Sequence, residues 1–425
     1  MNHSENVDQD AVLRARTMLL GSDRPSLARE VEAYRVLARV SPSAYLPKLT
    51  RALVSWSYSR QLRDLPEQQL ALCAEAADAA RRIDAGEPNR TEVLVRVLGV
   101  YERALFAVGR RAEGLAVCEE MAEAGRQGFE RGQVTSPLYG HGRLASVLAE
   151  EGRHREAAEI CGRGLRARRL DGSPGISPGV SFWSMVEWAA ELDAAGLHDE
   201  ALDAFADLVA ATRKEAEAGD TSLAILTWEL VHHARMFDAA GRTAEARAAR
   251  QEALVLLTEL AETGERKSWS NILSWWITLF ALSGRSAEPA ASPDAPAPPF
   301  GTHHHDWSPD VRQAYIDDIP ALEEEVAGLE EAGCLPDLVA AHRRLTIRSA
   351  LLQERRTHLI LKPLRPLFDE GVALARRLGP GTHAHAQALT DRSMFLLAAH
   401  QYGEAHDDFR MVVELSPISH PTSPK

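Results

Sequence analysis

Lysine is nearly missing from this 425-residue sequence: of 48 basic residues only Lys48, Lys214, Lys267, Lys362 and Lys425 are not arginine. Aromatic side chains are also scarce, at 6%. Alanine, leucine, glutamate and arginine dominate instead, a helix-forming mixture with the codon bias of a GC-rich genome. Positive charge is not in surplus. The formal net charge is −13, which argues against a general nucleic-acid binder, because neutralising phosphates takes a basic footprint. No run of about 18 uncharged apolar residues occurs, so no membrane span is expected. The longest apolar stretch, Ile272–Leu282, is too short for one and carries Ser and Trp. The opening MNHSENVDQDAVL lacks a basic-then-apolar signal pattern, and a cytoplasmic address is expected.

Motifs of chemistry are missing too. The four cysteines, Cys73, Cys118, Cys161 and Cys334, form no Cys-x-x-Cys pair and no paired spacing. There is no phosphate loop, nucleophile elbow, zinc-protease helix or dinucleotide fingerprint. Acidic runs such as Glu323, Glu324 and Glu325 suit a solvated helix face. No cofactor is implied, and nothing in the chain asks for an enzyme.

What recurs is a phrase: a small turn residue, polar residues, then Glu-Ala. It reads GRRAEG from Gly109, GRHREA from Gly152, GLHDEA from Gly196, GRTAEA from Gly241 and GRSAEP from Gly284. RDLPEQQL places an equivalent turn near Asp64, so the intervals are 45, 43, 44, 45 and 43 residues. Eight residues before each turn stand Trp56, Tyr101, Leu144, Trp188, His233 and Trp276, mostly large. The next column is mostly small: Ser57, Glu102, Ala145, Ala189, Ala234 and Ile277. Four before the turn stand Arg60, Leu105, Leu148, Leu192, Phe237 and Phe280. Large residues four apart share one helical face, and a small neighbour lets the next helix approach. Five after the turn, Gly114, Ala157, Ala201 and Ala246 keep the second helix close to the first. Cys73, Cys118 and Cys161 share a column with Phe205 and Phe409, nine after the turn, and read as small buried hydrophobes.

This pattern resembles the tetratricopeptide repeat family. The final unit, ALTDRSMFLLAAHQYGEAHDDFRMVVELSP, matches its second half through Ala405, Phe409 and Pro417. The segment AYLPKLTRALVSWSYSRQLRDLPEQQLAL resembles repeats of actinobacterial multi-repeat proteins. The period here is about 44 residues where the family has about 34; a related helical-hairpin repeat of about 40–47 residues is the alternative. The implied fold is all-α, a right-handed superhelical solenoid of antiparallel helix hairpins. Residues 1–43 read as a helical arm and 44–285 as the repeat array. Residues 286–309, with six prolines, read as an extended or disordered linker. Residues 310–419 read as a second helical block ending in a repeat, and 420–425 as a disordered tail.

A scaffold of this type binds other proteins in the groove lined by its first helices. Thirteen before the turns the column reads Arg51, Arg96, Tyr139, Trp183, Trp228 and Asn271. Six before, it contains Tyr58, Arg103 and Arg235; nine before, Arg143 and His232. Arginines and aromatics are the usual anchors of interfaces. They suit a protein or peptide segment that is acidic or ends in a carboxylate, and a homodimer is compatible with the same reading. If the register slips by one, the aromatics are core instead. The two-carboxylate clamp of the chaperone-binding branch is not matched, because its asparagine set is absent. The leading expectation is an interaction scaffold or regulatory adaptor. One rival is a ligand- or peptide-sensing regulator. Another is a metal-dependent enzyme built on His303, His304, His305 and Asp306, with His383 and His385 as further ligands.

Overall fold

The computed structural model describes residues 8–21, 25–171, 178–265, 272–353 and 357–415. Among these there is helix and no β-strand. The first helices are α1 (Gln9–Leu20), α2 (Leu27–Val40), α3 (Pro42–Ser57), α4 (Pro66–Arg81), α5 (Arg90–Ala107), α6 (Arg111–Glu130) and α7 (Gly142–Glu150). Then come α8 (His154–Asp171), α9 (Pro178–Ala194), α10 (His198–Glu217), α11 (Leu223–Ala239), α12 (Thr243–Thr263) and α13 (Ile272–Leu282). After a long non-helical stretch follow α14 (Pro309–Asp317), α15 (Ile319–Ala332), α16 (Leu335–Leu352), α17 (Thr357–Leu378), α18 (His383–Ala398) and α19 (Tyr402–Leu415).

The repeated turn phrase is a repeated piece of backbone geometry. Gly109, Gly196, Gly241 and Gly333 sit at φ of +75°, +78°, +73° and +69°. At each, the following N–H reaches back to a carbonyl five residues earlier, as Arg110 does to Leu105 at 2.9 Å and Arg242 to Phe237 at 2.8 Å. The turn residue's own N–H bonds the carbonyl three back, as Gly109 does to Phe106 at 3.0 Å. This is the Schellman closure, which satisfies the last carbonyls of a helix and needs a left-handed residue. A side chain there costs about 1–2 kcal/mol, so the sequence uses glycine. His400 at φ 58° is the exception; its Nδ1 meets the Tyr402 hydroxyl at 2.5 Å. The small column follows the same logic. Ala157, Ala201, Ala246 and Ala405 are fully buried where the second helix returns, and a Cβ on Gly114 would stand 2.7 Å from the Phe106 ring.

The chain divides into two compact units. The first comprises residues 1–148 with 166–172 and 308–310; the second comprises 149–165, 173–307 and 311–425. In the first unit each helix packs on the next from α1 to α6, and α3 also meets α5. The second begins in the same way, with α9 on α10, α10 on α11 and α11 on α12. Then the order changes. The next neighbour of α12 is α19, followed in space by α18, α17, α16 and α15. Helix α13 instead packs on α11, α16 and α18. Ten of its eleven residues are buried, from Ile272 through Trp276 to Leu282. A helix that is apolar on every side belongs in a core. Trp276 lies among Phe280, Phe368 and Phe395, with ring centroids 5.7, 6.3 and 5.8 Å away.

Residues 286–309 differ from the expected linker. The segment is irregular, with short 3-10 turns at Arg285–Ala287 and His304–Asp306, but it is packed. Phe300 and Trp307 are 4% exposed and meet edge-to-face at 6.0 Å. The Ala297 N–H donates to the Glu150 carbonyl at 2.9 Å. The Trp307 indole donates to the Thr302 carbonyl at 3.0 Å. Gly301 lies so close to α9 that an added Cβ would stand 2.4 Å from the Ala190 methyl. At the start of the segment Glu288 pairs at 2.9 Å with Arg348, both side chains 6% exposed. Proline removed the competing amide donors, and the two aromatics provide the burial that holds the segment in place.

Candidate functional site

The first-helix columns have opposite surroundings in the two units. In the first unit Arg51, Tyr58, Arg96 and Arg103 face solvent. Lys48, Arg51, Ser55 and Tyr58 run down one side of α3 at helical spacing, all exposed, with Tyr58 at 67%. On α5 the exposed stripe is Glu92, Arg96 and Arg103. The stripes are neighbours: the charge of Arg103 acts on the Tyr58 hydroxyl, and that of Arg96 on Tyr139. For half-buried Tyr139 burial is the larger influence and raises the phenol pKa. Arg143 has a different task. Its Nη2 and Nε donate to Oε1 of Glu102 at 2.5 and 3.1 Å, and the Glu102 side chain is fully buried. Removing that guanidinium would strand a carboxylate in the core.

In the second unit the same columns are covered by the chain itself. Trp183 is half-buried, 4.2 Å from the Trp275 ring of α13 and 5.6 Å from the ring of His303. Trp228 is 2% exposed and donates its indole N–H to the Met394 carbonyl of α18 at 3.2 Å. Arg235 pairs with Asp391 of α18. Asn271 lies outside the described residues. In the second unit Trp228 is therefore core and Trp183 partly so.

Two of the columns nevertheless border open space. His232 and Arg235 line a cleft of about 460 Å³ bounded by α9, α10, α11 and the end of α13. Its walls include Phe205, Leu202 and Met236, with Asp193, His198 and Arg285 near one another. Arg285 pairs with Asp193 and donates to the Ala190 carbonyl at 2.7 Å. His198 Nδ1 meets the other Asp193 oxygen at 2.7 Å. His232 is 9% exposed and its Nδ1 has no hydrogen-bond partner among the described residues. Burial, then the charges of Arg235 and Arg285, push its pKa down to about 3, so the ring is neutral. His233 is held down to about 4, chiefly by burial.

One turn earlier on α11 sits a group that sequence reasoning missed. Glu229 is fully buried, and neither carboxylate oxygen has a hydrogen-bond partner among the described residues. The Thr212 hydroxyl and Trp275 indole N–H lie nearby, outside bonding geometry, and act to lower its pKa, but burial outweighs them. Burial therefore raises its pKa well above the usual carboxylate range. Nothing in the sequence distinguishes it from the many surface glutamates.

The rings of His303, His304 and His305 lie against one another, with centroids 5.0, 5.1 and 4.1 Å apart. His303 Nδ1 accepts the His305 backbone N–H at 3.2 Å. Burial, more than the neighbouring rings, pushes the pKa of His304 down to about 2. His385 takes a backbone contact instead, from the Gly381 N–H at 3.4 Å. Among the described residues no three His, Cys, Asp or Glu side chains are grouped to hold a metal ion. Nor is any helix among them long and apolar enough to cross a membrane. Compared with models of known families and with curated proteins, the sequence matches none.

Proposed function

We propose that the chain is a cytoplasmic helical-hairpin scaffold of tetratricopeptide type, and that its first unit binds an acidic protein segment across α3 and α5. The carrying observation is the exposed stripe of Lys48, Arg51, Tyr58, Arg96 and Arg103 on a protein of net charge −13. A local positive strip on an acidic molecule steers acidic partners and excludes basic ones. Tyr58 and Tyr139 add the amphipathic rings that hold a docked chain. Glu92 is the acid among these cations and favours a partner with a basic residue at that point. Further support comes from the second unit, where the equivalent columns already carry polypeptide: Trp183 against His303, and α9 against Gly301.

The test is fluorescence anisotropy of the full chain with labelled peptides rich in Glu, Asp and Tyr, beside lysine-rich peptides of equal length. The acidic set should bind, and weaken with added salt as screening shortens to about 8–10 Å. Combining Arg51→Glu, Arg96→Glu and Arg103→Glu should weaken binding at least roughly tenfold without moving the melting curve, because exposed charges contribute little to stability. Equal binding by the variant, or preference for the basic peptides, would overturn the proposal.

A further inference from the structure

The cleft in the second unit has two properties of a ligand site. Its volume of about 460 Å³ falls within the roughly 300–1,000 Å³ of small-molecule pockets. Its walls are mainly apolar with a few converging polar groups, among them the unpartnered ring of His232.

The charges behind it are unbalanced. Arg235 and Arg343 both pair with one carboxylate, Asp391, which is 5% exposed. Arg343 Nε meets it at 2.7 Å and directs Nη2 to the Ser283 hydroxyl, also at 2.7 Å. No second carboxylate bonds either guanidinium among the described residues. Two cations facing one anion leave one positive charge in a poorly solvated place, where Coulomb attraction is strong. Arg285 gives no relief, since its own charge is matched by Asp193. Arg235 keeps 25% of its side chain exposed and lines the cleft.

We propose that this cleft binds a small organic carboxylate with an apolar body. The carboxylate meets Arg235 beside His232, completing the charge balance of the Arg235–Asp391–Arg343 group. The apolar body lies against Phe205, Leu202 and Met236. A charged hydrogen bond from a guanidinium to a carboxylate is about twice as strong as a neutral one, so the acid is favoured over its amide. The site lies within the second unit and does not depend on the peptide-binding proposal for the first.

Calorimetric titration of the full chain with hexanoate, octanoate, 3-phenylpropanoate and 4-phenylbutanoate, each beside its carboxamide, tests this. At least one acid should bind, and its amide should bind at least roughly tenfold more weakly. Ala239, at the exposed end of α11, lines the mouth of the cleft. Ala239→Trp should block entry and abolish binding with an unchanged melting curve; Ala240→Trp serves if that variant is unstable. Arg235→Met should remove the preference of acid over amide. A peptide with a free C-terminus that outcompetes every small acid would overturn the proposed ligand class. Equal affinity for acid and amide, undiminished binding in the blocked variant, or no heat from any acid up to roughly 5 mM would overturn the site.

Discussion

Replacing Glu229 with methionine should stabilise the second unit at neutral pH, and the gain should shrink as the pH falls. The carboxyl is fully buried, and both oxygens lack partners among the described residues. A buried polar group left unpaired costs about 1–3 kcal/mol even when neutral. Methionine has a similar length and no polar atom to satisfy, and such near-isosteric swaps cost less than about 1.5 kcal/mol. Ionisation adds a second part. The folded pKa is raised above the ordinary value of 4.5. Below that value both folded and unfolded chains carry the proton, and the shift costs nothing. Above it the unfolded chain ionises while the folded one retains its proton. Stability is then lost at up to about 1.4 kcal/mol per pH unit, until the buried group also ionises. The variant escapes this loss. Its advantage should therefore be about 1–3 kcal/mol near pH 4.5 and larger at pH 7 and 8. Urea unfolding followed by tryptophan fluorescence reads the right half, because Trp56 is the only one of eight tryptophans in the first unit. A variant that is less stable than the parent at pH 7, or a difference that stays flat with pH, would refute the reasoning.

Three further outcomes are expected. Residues 288–307 should resist proteinase K in the parent, and Gly301→Val should expose them, since its Cβ would meet Ala190 at 2.4 Å and the Glu187 backbone at 3.3 Å; early cleavage of the parent there would contradict the packed segment. Gly125→Ala should cost the first unit at least about 1–3 kcal/mol, because the new methyl falls 1.7 Å from the Tyr139 carbonyl oxygen; an unchanged unfolding midpoint would show that the α6 contact is absent. With a thiol reagent, exposed Cys334 should react first and half-buried Cys161 more slowly. Cys73 and Cys118 should wait for unfolding, burial also raising the Cys73 thiol pKa.

The hairpins were legible because their closure is local. A left-handed turn needs glycine within one residue of a fixed place, so Gly109, Gly196 and Gly241 mark it in any sequence. Ala201 and Ala246 were legible for a similar reason, since helix contact tolerates only a small side chain there. Cys161 shows the limit: it shares the column of Cys73 and Cys118 yet is only half-buried. Surroundings were not legible, because they depend on segments far away in the chain. Arg51 and Trp228 occupy the same column, but one faces solvent and the other lies beneath α18. The proline count of 286–309 suggested a loose spacer, and the available counter-signal was Phe300 and Trp307, two large aromatics unsuited to a solvated linker. The cleft gave no sequence signal, being assembled from α9, α10, α11 and α13.

The seating of α19 on α12 has consequences for how this protein is made and how it can evolve. An open stack of hairpins can gain or lose units at its free end, since each needs only its neighbour. Here the last hairpin closes on an earlier one. Deleting or duplicating a unit between them would leave α19 without its seat, so the number of units in this half is fixed by geometry. Synthesis meets the same constraint. When α12 and α13 leave the ribosome, the helices that cover them, α16, α18 and α19, have not been made. At about 5–20 residues per second, the apolar sides of α13 wait on the order of ten seconds for cover. Over that interval Trp275, Trp276 and Phe280 of the nascent chain lack the later helices that bury them in the finished fold.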